Sequence, residues 1–275
     1  PKIKRFIELI KACPQTDFSC VIDNETTAVE IDEAANAAGI RIPVYVDINV
    51  GMNRTGILPE QAATLYTSIT RLNHLSVRGL HAYDGHIHDA PFEIRKEQSD
   101  AAFAVVDALK NRLIDQGMTE PVIIIGGSPT FPIHAKRAKV ECSPGTFVYW
   151  DYGYGSKFTE QQFLPAALVV SRVISLPDAT TVCADLGHKS IAAENPLPNR
   201  VHFINAPAVV FEGQSEEHLK LNAGKGHSFK IGDVLYGMPV HICPTVALYE
   251  KAVLVENGIA GKEWKTIARD KKITI

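Results

Sequence analysis

A histidine and a cysteine, His241 and Cys243, stand two residues apart in the segment GMPVHICPT near the C-terminus. On an extended segment both side chains point to the same face, because strand side chains alternate with a period of two. Imidazole and thiolate together suit a borderline-soft divalent ion such as zinc, and two protein ligands leave positions open for water or substrate. The spacing therefore predicts a catalytic metal site, although a buried cysteine beside an incidental histidine has the same spacing.

Two other polar segments follow predicted strands, where parallel α/β folds place their functional loops. In INVGMNRTGI, Arg54 can pair with an anion or a phenolic oxygen, or can be an ordinary surface arginine. In GLHAYDGHIHD, Tyr83 stands among three histidines, His81, His86 and His88. Such histidines can bind a metal or line a polar pocket. We expect the pocket, because no carboxylate spacing completes a metal site.

Two turns that contain glycine and small hydroxyl residues are candidate phosphate sites. In IIIGGSPTF, Ser128 and Thr130 open a predicted helix, whose first N–H groups can bind an anion. In ECSPGTFVYWD, Gly145 and Thr146 offer a backbone N–H and a hydroxyl at the next strand end. The two turns can hold one phosphate together, although either of them alone is more often an ordinary turn.

The elements that position these residues change in character along the chain. Short apolar runs alternate with helical patterns up to about residue 160, which predicts βαβ units and a parallel sheet. The predicted strands are 18–23, 44–50, 77–84, 122–127 and 139–145, and the predicted helices are an N-terminal amphipathic helix, 26–38, 59–73 and 92–117. Residues 161–275 consist of short runs between turn residues, with a hairpin turn in ENGIAGKE, and predict a β-rich second domain.

The composition excludes several classes of protein. Of 275 residues, 45% are apolar and 21% are charged, which is ordinary for a globular protein. The net charge of 28 − 31 = −3 provides no basic surface for nucleic acid, and no apolar run is long enough to span a membrane. Five cysteines without regular spacing favour a reducing compartment, and we expect a cytoplasmic protein.

Six segments together resemble the motifs of one family in the same order: VGMNRTG, GGSPT, SPGTFVYWD, DLGHK, SEEH and PVHICPT. They resemble the D-threonine aldolase and D-serine dehydratase family, the metal-dependent branch of the alanine racemase-like, fold-type III pyridoxal phosphate enzymes. The resemblance implies an α/β plus β protein, with part of a (β/α)8 TIM-type barrel in residues 1–160 and a C-terminal metal-binding β-domain in residues 161–275. It places pyridoxal 5'-phosphate (PLP) at the carboxyl end of the barrel strands.

The resemblance also implies roles for individual residues. Six are assigned to the cofactor: Arg54 near its phenolic oxygen, Tyr83 against its ring, and Ser128, Thr130, Gly145 and Thr146 at its phosphate. The divalent ion, Zn²⁺ or Mn²⁺, is assigned to His241 and Cys243. The family's sites form near a subunit interface, so a homodimer is expected.

One departure from the family is the absence of its Schiff-base lysine. That lysine ends the first barrel strand in a segment like PHxKTHK, and no such segment occurs here. A closed barrel needs eight strands, and about five are predicted. Either the sheet is open, or βα units that precede residue 1 in the family are absent from this sequence. The catalytic residue therefore remains unknown.

The expected activity is that of a PLP- and metal-dependent lyase on D-3-hydroxy amino acids, cleaving them in the manner of D-threonine aldolase to glycine and an aldehyde. A zinc-dependent D-serine or D-3-hydroxyaspartate dehydratase is the alternative, because a cysteine beside the histidine is typical of those enzymes. A PLP-binding protein without catalysis, or an inactive fragment, is a further alternative. The β-domain with its His-x-Cys pair is an argument against a non-catalytic PLP-binding protein, since small PLP-binding proteins of this barrel type have a single domain.

Overall fold

The computed structural model describes residues 2–270, which divide into two compact units between Gly145 and Thr146. The first unit contains the predicted parallel sheet and the second contains an antiparallel sheet. The predicted domain boundary at 160/161 falls inside the second unit. A 3₁₀ helix, Thr146–Val148, and helix α6, Tyr152–Lys157, lie before that boundary and belong with the second sheet. The Gly153 N–H donates to the Val240 carbonyl at 3.1 Å. This bond connects α6 to the residue that follows Val234–Pro239, a strand of the second sheet.

The first unit has five parallel strands in chain order, as consecutive βα units require. They are β1 Cys20–Ile22, β2 Ile42–Ile48, β3 Leu75–Ala82, β4 Val122–Ile125 and β5 Val140–Cys142. The helices are α1 Lys2–Ala12, α2 Glu25–Ala38, α3 Pro59–Ile69, α4 Phe92–Asp115 and α5 Phe131–His134. Within residues 2–270 neither edge strand, β1 nor β5, has an outer partner strand. The predicted fold class, a partial barrel followed by a β-domain, is confirmed.

Local sequence signals explain where the helices begin and end. Helix α2 starts after Asn24, whose side chain accepts from the Thr27 N–H at 2.8 Å, and it ends at Gly39 in the left-handed conformation with φ +65°. Helix α3 begins with Pro59, which suits a first helical position. The helices pack on one face of the sheet, where alternate β2 residues Ile42, Val44, Val46 and Ile48 are buried. Pro43, Tyr45 and Asp47 alternate with them and lie on the opposite face.

Gly79 marks a close approach of β3 to β4. A Cβ at this position would overlap the carbonyl oxygen of Val122 on the neighbouring strand. We expect Gly79→Ala to lower the free energy of unfolding by about 2–3 kcal/mol, because backbone atoms of a central strand must move apart. Urea denaturation measures this change.

The matched control for Gly79 is Gly213→Ala. Gly213 also lies in a strand, and an added Cβ would meet nothing within 4 Å. We expect this control to change the free energy of unfolding by less than about 0.5 kcal/mol. A wild-type urea midpoint for Gly79→Ala would contradict the steric argument.

The second unit is built on a six-stranded antiparallel sheet. Its strands, in spatial order, are β8 Val201–Phe203, β11 Val234–Pro239, β6 Val169–Ser175, β7 Thr181–Ala184, β10 Leu219–Asn222 and β9 Val210–Gln214. The buried core of this unit includes Val173, Val182, Phe203, Leu221 and Leu235. Helix α7, Ile242–Val246, follows β11, and no helix within residues 2–270 is long and apolar enough to cross a membrane.

The predicted hairpin turn is confirmed in a separate two-stranded sheet of the second unit. Strands β12, Lys251–Glu256, and β13, Ile259–Lys265, are joined by Asn257 and Gly258. Both turn residues have positive φ, 52° and 77°. This is the Asn-Gly two-residue turn whose backbone twist matches that of antiparallel strands.

Candidate functional site

The carboxyl ends of the parallel strands bring the sequence-predicted polar segments to one edge of the first unit. The loop after β2 carries Arg54, the loop after β3 carries Tyr83, the turn after β4 carries Ser128 and Thr130, and Gly145 follows β5. Strands β4 and β5 are paired, with Ile125 opposite Cys142, so the two predicted phosphate turns begin on neighbouring strands.

Arg54 lies on a loop that internal hydrogen bonds hold in place. The Asn49 side-chain oxygen accepts from the N–H groups of Gly51 and Asn53 at 3.0 and 3.1 Å. The Gly56 N–H donates to a carboxylate oxygen of Asp23, which follows β1, at 3.1 Å. The loop after β2 is thus fixed to itself and to the neighbouring strand end.

The structure brings Arg54 and Tyr83 together. The Arg54 guanidinium carbon lies 4.9 Å from the centroid of the Tyr83 ring, within cation–π range. The ring fits only because its neighbours are glycines. A Cβ on Gly85 would overlap the ring, and a Cβ on Gly127 would lie 2.9 Å from it. An arginine and an aromatic ring held this way at the sheet edge fit the predicted binding of a planar phenolic cofactor.

Behind the β4–α5 turn lies a buried hydrogen-bond network centred on Asp84. Its carboxylate accepts from the Thr130 hydroxyl at 2.8 Å, from His134 Nε2 at 2.9 Å and from the Gly127 N–H at 3.3 Å. Asp84, Thr130 and His134 have no exposed surface. Arg137 Nε donates to His134 Nδ1 at 3.2 Å. Because arginine is only a donor, the His134 proton sits on Nε2 and points at Asp84.

This network limits what the predicted phosphate turn offers. The Thr130 hydroxyl donates to Asp84, so this side chain supports the turn from within. Ser128 is 5% exposed and Gly145 is open on its Cβ side. A phosphate role for Thr130 therefore depends on its backbone, and the phosphate roles of Ser128, Gly145 and Thr146 stay predictions.

Sequence reasoning missed Asp47, which pairs with His81. The two residues face each other across β2 and β3, and the distance from His81 Nδ1 to an Asp47 carboxylate oxygen is 2.6 Å. Thr55, the residue after Arg54, donates its hydroxyl to the other Asp47 oxygen at 3.0 Å. The signal was a carboxylate inside the apolar strand VYVDINV.

The three histidines of GLHAYDGHIHD have separate surroundings. His81 contacts Asp47, His86 packs against Gly51, and His88 Nδ1 lies 2.7 Å from the His86 carbonyl oxygen. Within residues 2–270, no group of three or more His, Cys, Asp or Glu side chains is placed to hold a metal ion. In the described part of the first unit, no lysine lies at the carboxyl end of a strand, so no cofactor lysine is assigned there.

The extended geometry predicted for His241 and Cys243 is wrong. Strand β11 ends at Pro239, His241 is the residue that precedes helix α7, and Cys243 lies in its first turn. The physical reason is a distant cap: an Asp151 carboxylate oxygen accepts from the Ile242 N–H at 3.0 Å. The two residues remain close in sequence at a helix start, but the same-face argument for a strand does not apply.

Asp151 serves two helix starts of the second unit. One of its oxygens accepts from Ile242 of α7, and the other accepts from the Tyr154 N–H of α6 at 2.9 Å. Burial raises the pKa of Asp151 above its usual value, and these two N–H groups partly oppose that rise. The sequence signal was the aspartate that precedes YGYG, because aspartate is a preferred N-cap residue of helices.

His241 and Cys243 each contact one further polar group within the second unit. The distance from His241 Nδ1 to a Glu194 carboxylate oxygen is 2.6 Å, and Cys243 Sγ lies 3.5 Å from the Thr146 hydroxyl. Cys243 is exposed, and His241 lines a cavity of about 710 Å³ that Asp151 also lines. The exposed Cys243 thiol and the His241 Nε2, which is not the nitrogen that contacts Glu194, are two potential ligands. By their chemistry they fit a zinc-type ion that keeps coordination positions open for water or substrate.

If Cys243 is a metal ligand, Zn²⁺ should protect it from alkylation. We expect excess Zn²⁺ to slow iodoacetamide labelling of Cys243 at least about tenfold, since a coordinated thiolate is not free to attack. Peptide mass spectrometry at pH 8 measures each cysteine separately.

Two other cysteines serve as internal controls for the labelling experiment. Cys13 is exposed in the first unit and should label at the same rate with and without Zn²⁺. Burial raises the pKa of the Cys20 thiol to about 11, so it should label slowly under both conditions. Equal protection of Cys13 and Cys243 would contradict a specific site.

Comparisons with known proteins agree with this architecture. Residues 6–153 match the family model described as "Alanine racemase, N-terminal domain", and residues 166–255 match the one described as "Putative serine dehydratase domain". A parallel βα unit with a polar carboxyl edge, followed by an antiparallel unit, defines an alanine racemase-like protein. The first match spans more than half of the chain, and the chain belongs to the alanine racemase N-terminal domain family, which confirms the resemblance seen in the sequence motifs.

Similar proteins include aldolases that are named for D-3-hydroxy amino acids. The chain is 26% identical to a D-threonine aldolase of Arthrobacter sp. over 92% of its own length and 67% of that protein. It is 26% identical to a 3-hydroxy-D-aspartate aldolase of Paracoccus denitrificans over 98% of its own length and 71% of that protein. The crystal structure of a D-threonine aldolase from Filomicrobium marinum superposes with a TM-score of 0.88 at 24% identity, covering 97% of this chain and 73% of that one. The last similarity establishes the fold.

Proposed function

We propose that this protein is a PLP-dependent lyase that cleaves D-3-hydroxy amino acids to glycine and an aldehyde. The observation that carries the proposal is the similarity to two kinds of curated aldolase, each spanning nearly the whole chain. Both kinds act, by their names, on D-amino acids that carry a 3-hydroxyl group. The proposed substrate is accordingly a small D-amino acid with a hydroxyl on Cβ.

The family implies PLP, which when bound withdraws electrons from the substrate's Cα. Arg54 and Tyr83 are proposed to orient it, because they are held together at the sheet edge and carry a cation and an aromatic ring. Ser128, Thr130, Gly145 and Thr146 are proposed for its phosphate, with Thr130 contributing through its backbone. Asp84 accepts hydrogen bonds from Gly127 and Thr130, on either side of Ser128 in this turn.

A divalent ion, Zn²⁺ or Mn²⁺, is proposed at His241 and Cys243, where it would polarise the substrate's 3-hydroxyl as a Lewis acid. The N–H at His241 Nδ1 donates a hydrogen bond to Glu194, so the Nε2 lone pair is the one available to an ion. Cys243 supplies an exposed sulfur. Loss of the hydroxyl proton with cleavage of Cα–Cβ releases an aldehyde, and loss of the Cα proton with the hydroxyl gives dehydration.

The second candidate is a dehydratase that acts on D-serine or D-3-hydroxyaspartate. Two similar structures are variants of D-threo-3-hydroxyaspartate dehydratase. One, at a TM-score of 0.80, has a cysteine replaced by alanine and is described as metal-free. The other, at a TM-score of 0.81, has alanine in place of a histidine two positions before that cysteine. His241 and Cys243 have the same order and spacing. The match of residues 166–255 to a serine dehydratase model supports the same alternative.

Product analysis separates the two candidates. The native protein is incubated with PLP and Zn²⁺ or Mn²⁺, and with D-threonine, D-3-hydroxyaspartate or D-serine in turn. Glycine together with an aldehyde supports the aldolase, and a 2-oxo acid together with ammonia supports the dehydratase. A cofactor absorbance band without either product set, in all metal conditions, would contradict both and leave a PLP-binding protein without catalysis.

Two further properties are part of the proposal. We expect a homodimer in the cytoplasm, on the grounds of the family resemblance and of cysteines without a disulfide pattern. Light scattering coupled to size-exclusion chromatography measures the first. A monomer at micromolar concentration would contradict it.

A further inference from the structure

The contact between Glu194 and His241 selects which imidazole nitrogen is available. A glutamate carboxylate only accepts hydrogen bonds, so the 2.6 Å contact places the histidine proton on Nδ1. The Nε2 atom then carries a lone pair, which is the form of histidine that binds metals. A free histidine distributes its proton between both nitrogens and rotates, so the carboxylate fixes the tautomer and the ring orientation together.

The loop that carries Glu194 is attached to the helix that carries Cys243. The Ala192 N–H donates to the Thr245 hydroxyl oxygen at 3.2 Å, and the Thr245 hydroxyl donates to the His241 carbonyl at 2.8 Å. Ala192 and Thr245 are both buried. One hydroxyl thus joins the glutamate loop to the start of α7, within a few residues of both proposed ligands.

Hydrogen bonds at both ends of the loop hold the same arrangement. The Tyr249 hydroxyl donates to the Ser190 carbonyl at 2.7 Å, and Arg200 Nε donates to the Asn195 carbonyl at 2.8 Å. The side chains of Glu194 and His241 are 44% and 43% exposed, so an unsupported pair would be worth little. Here the backbone on either side of Glu194 is fixed, which distinguishes it from a mobile surface contact.

We propose that Glu194 is the positioning residue of the proposed metal site: it holds His241 in the tautomer whose Nε2 carries the lone pair, and so raises the affinity of the His241–Cys243 pair for a divalent ion. The inference rests on the metal site of the proposed function and adds a residue that neither the motifs nor the comparisons assign. Carboxylates that orient a metal-binding histidine through its other nitrogen contribute about 10- to 100-fold to metal affinity in other proteins.

The test measures metal affinity in the native protein without substrate. Zn²⁺ binding is followed by competition with a chromophoric chelator, and Co²⁺ binding by its thiolate charge-transfer absorbance. We expect Glu194→Ala to weaken Zn²⁺ binding about 10- to 100-fold while the Co²⁺–thiolate band persists at saturation. Glu194→Gln should lose much less affinity, because its amide oxygen still accepts from Nδ1.

The matched control is Glu263→Ala, which removes another half-exposed glutamate with a 2.7 Å ion pair, to Lys251. It should leave Zn²⁺ affinity unchanged. Equal affinity of the wild type and Glu194→Ala, with binding lost in His241→Ala, would overturn the inference and leave the metal site intact. Equal losses in Glu194→Gln and Glu194→Ala would overturn a positioning role. A wild-type protein without Zn²⁺ affinity would overturn both the metal site and the inference.

Discussion

Replacing Cys243 with alanine is expected to lower metal-dependent turnover of D-3-hydroxy amino acids at least about 100-fold. The thiolate is one of two proposed protein ligands, and without it the ion that stabilises charge on the 3-hydroxyl is weakly held. The measurement is the rate of glycine and aldehyde formation, or of 2-oxo acid formation, as a function of Zn²⁺ and Mn²⁺ concentration.

The control for this loss is Cys13→Ala. Cys13 is the other exposed cysteine and lies just after helix α1 in the first unit, so its removal should leave turnover within about twofold of wild type. His241→Ala should match Cys243→Ala, because either change leaves a single ligand. Turnover of Cys243→Ala at the wild-type rate and with wild-type metal dependence would refute the ligand assignment.

The second large effect concerns stability. Asp84→Ala should lower the free energy of unfolding by about 2–4 kcal/mol, because it removes the closest acceptor of the Thr130 hydroxyl and of His134 Nε2–H in a fully buried site. Only the Gly127 carbonyl oxygen, 3.4 Å from the Thr130 hydroxyl, and the Ser99 hydroxyl, 3.0 Å from His134 Nε2, remain as partners among the described residues. Thermal and urea unfolding measure the loss. PLP titration should show weaker binding at temperatures where the variant is still folded, since Asp84 also accepts from Gly127 in the predicted phosphate turn.

Asp107→Ala is the comparison for that change. Asp107 forms a surface ion pair with Lys110 at 2.7 Å, one helical turn away, and such pairs contribute less than about 1 kcal/mol. An Asp84→Ala protein as stable as Asp107→Ala would show that the buried network is not what holds the turn.

The sequence predicted the elements well because their signals are local. Apolar alternation in Ile42–Ile48 and the Asn24 and Gly39 caps of α2 lie within a few residues of what they determine. The carboxyl edge of the sheet followed from parallel strand order, which put the loops of Arg54 and Tyr83 at neighbouring strand ends, but the contact between the two side chains was not predicted. Strand and helix bounds differ from the predicted ones by several residues, because end residues depend on their neighbours in space.

The partners within the site were beyond such local signals. Asp47 and His81 are 34 residues apart, Asp84 and His134 are 50 apart, and Glu194 and His241 are 47 apart. Each pairing depends on which strands or loops become neighbours after folding. The strand geometry assumed for His241 and Cys243 was wrong for the same reason, since the cap that starts α7 comes from Asp151, 91 positions earlier.

That shared cap has a consequence for how the second unit can be divided. The Ile242 N–H donates to Asp151, which precedes the whole antiparallel sheet in the sequence. This hydrogen bond forms only when the chain closes a loop of 91 positions. Closing so long a loop is entropically unfavourable until the intervening sheet has formed. A fragment that begins at 161, where composition changes, would contain the complete sheet and both candidate ligands but would lack the acid that orders them. A fragment that begins at Thr146 would keep it, so the helix start that carries His241 and Cys243 depends on a longer segment than the region whose sequence resembles a β-domain.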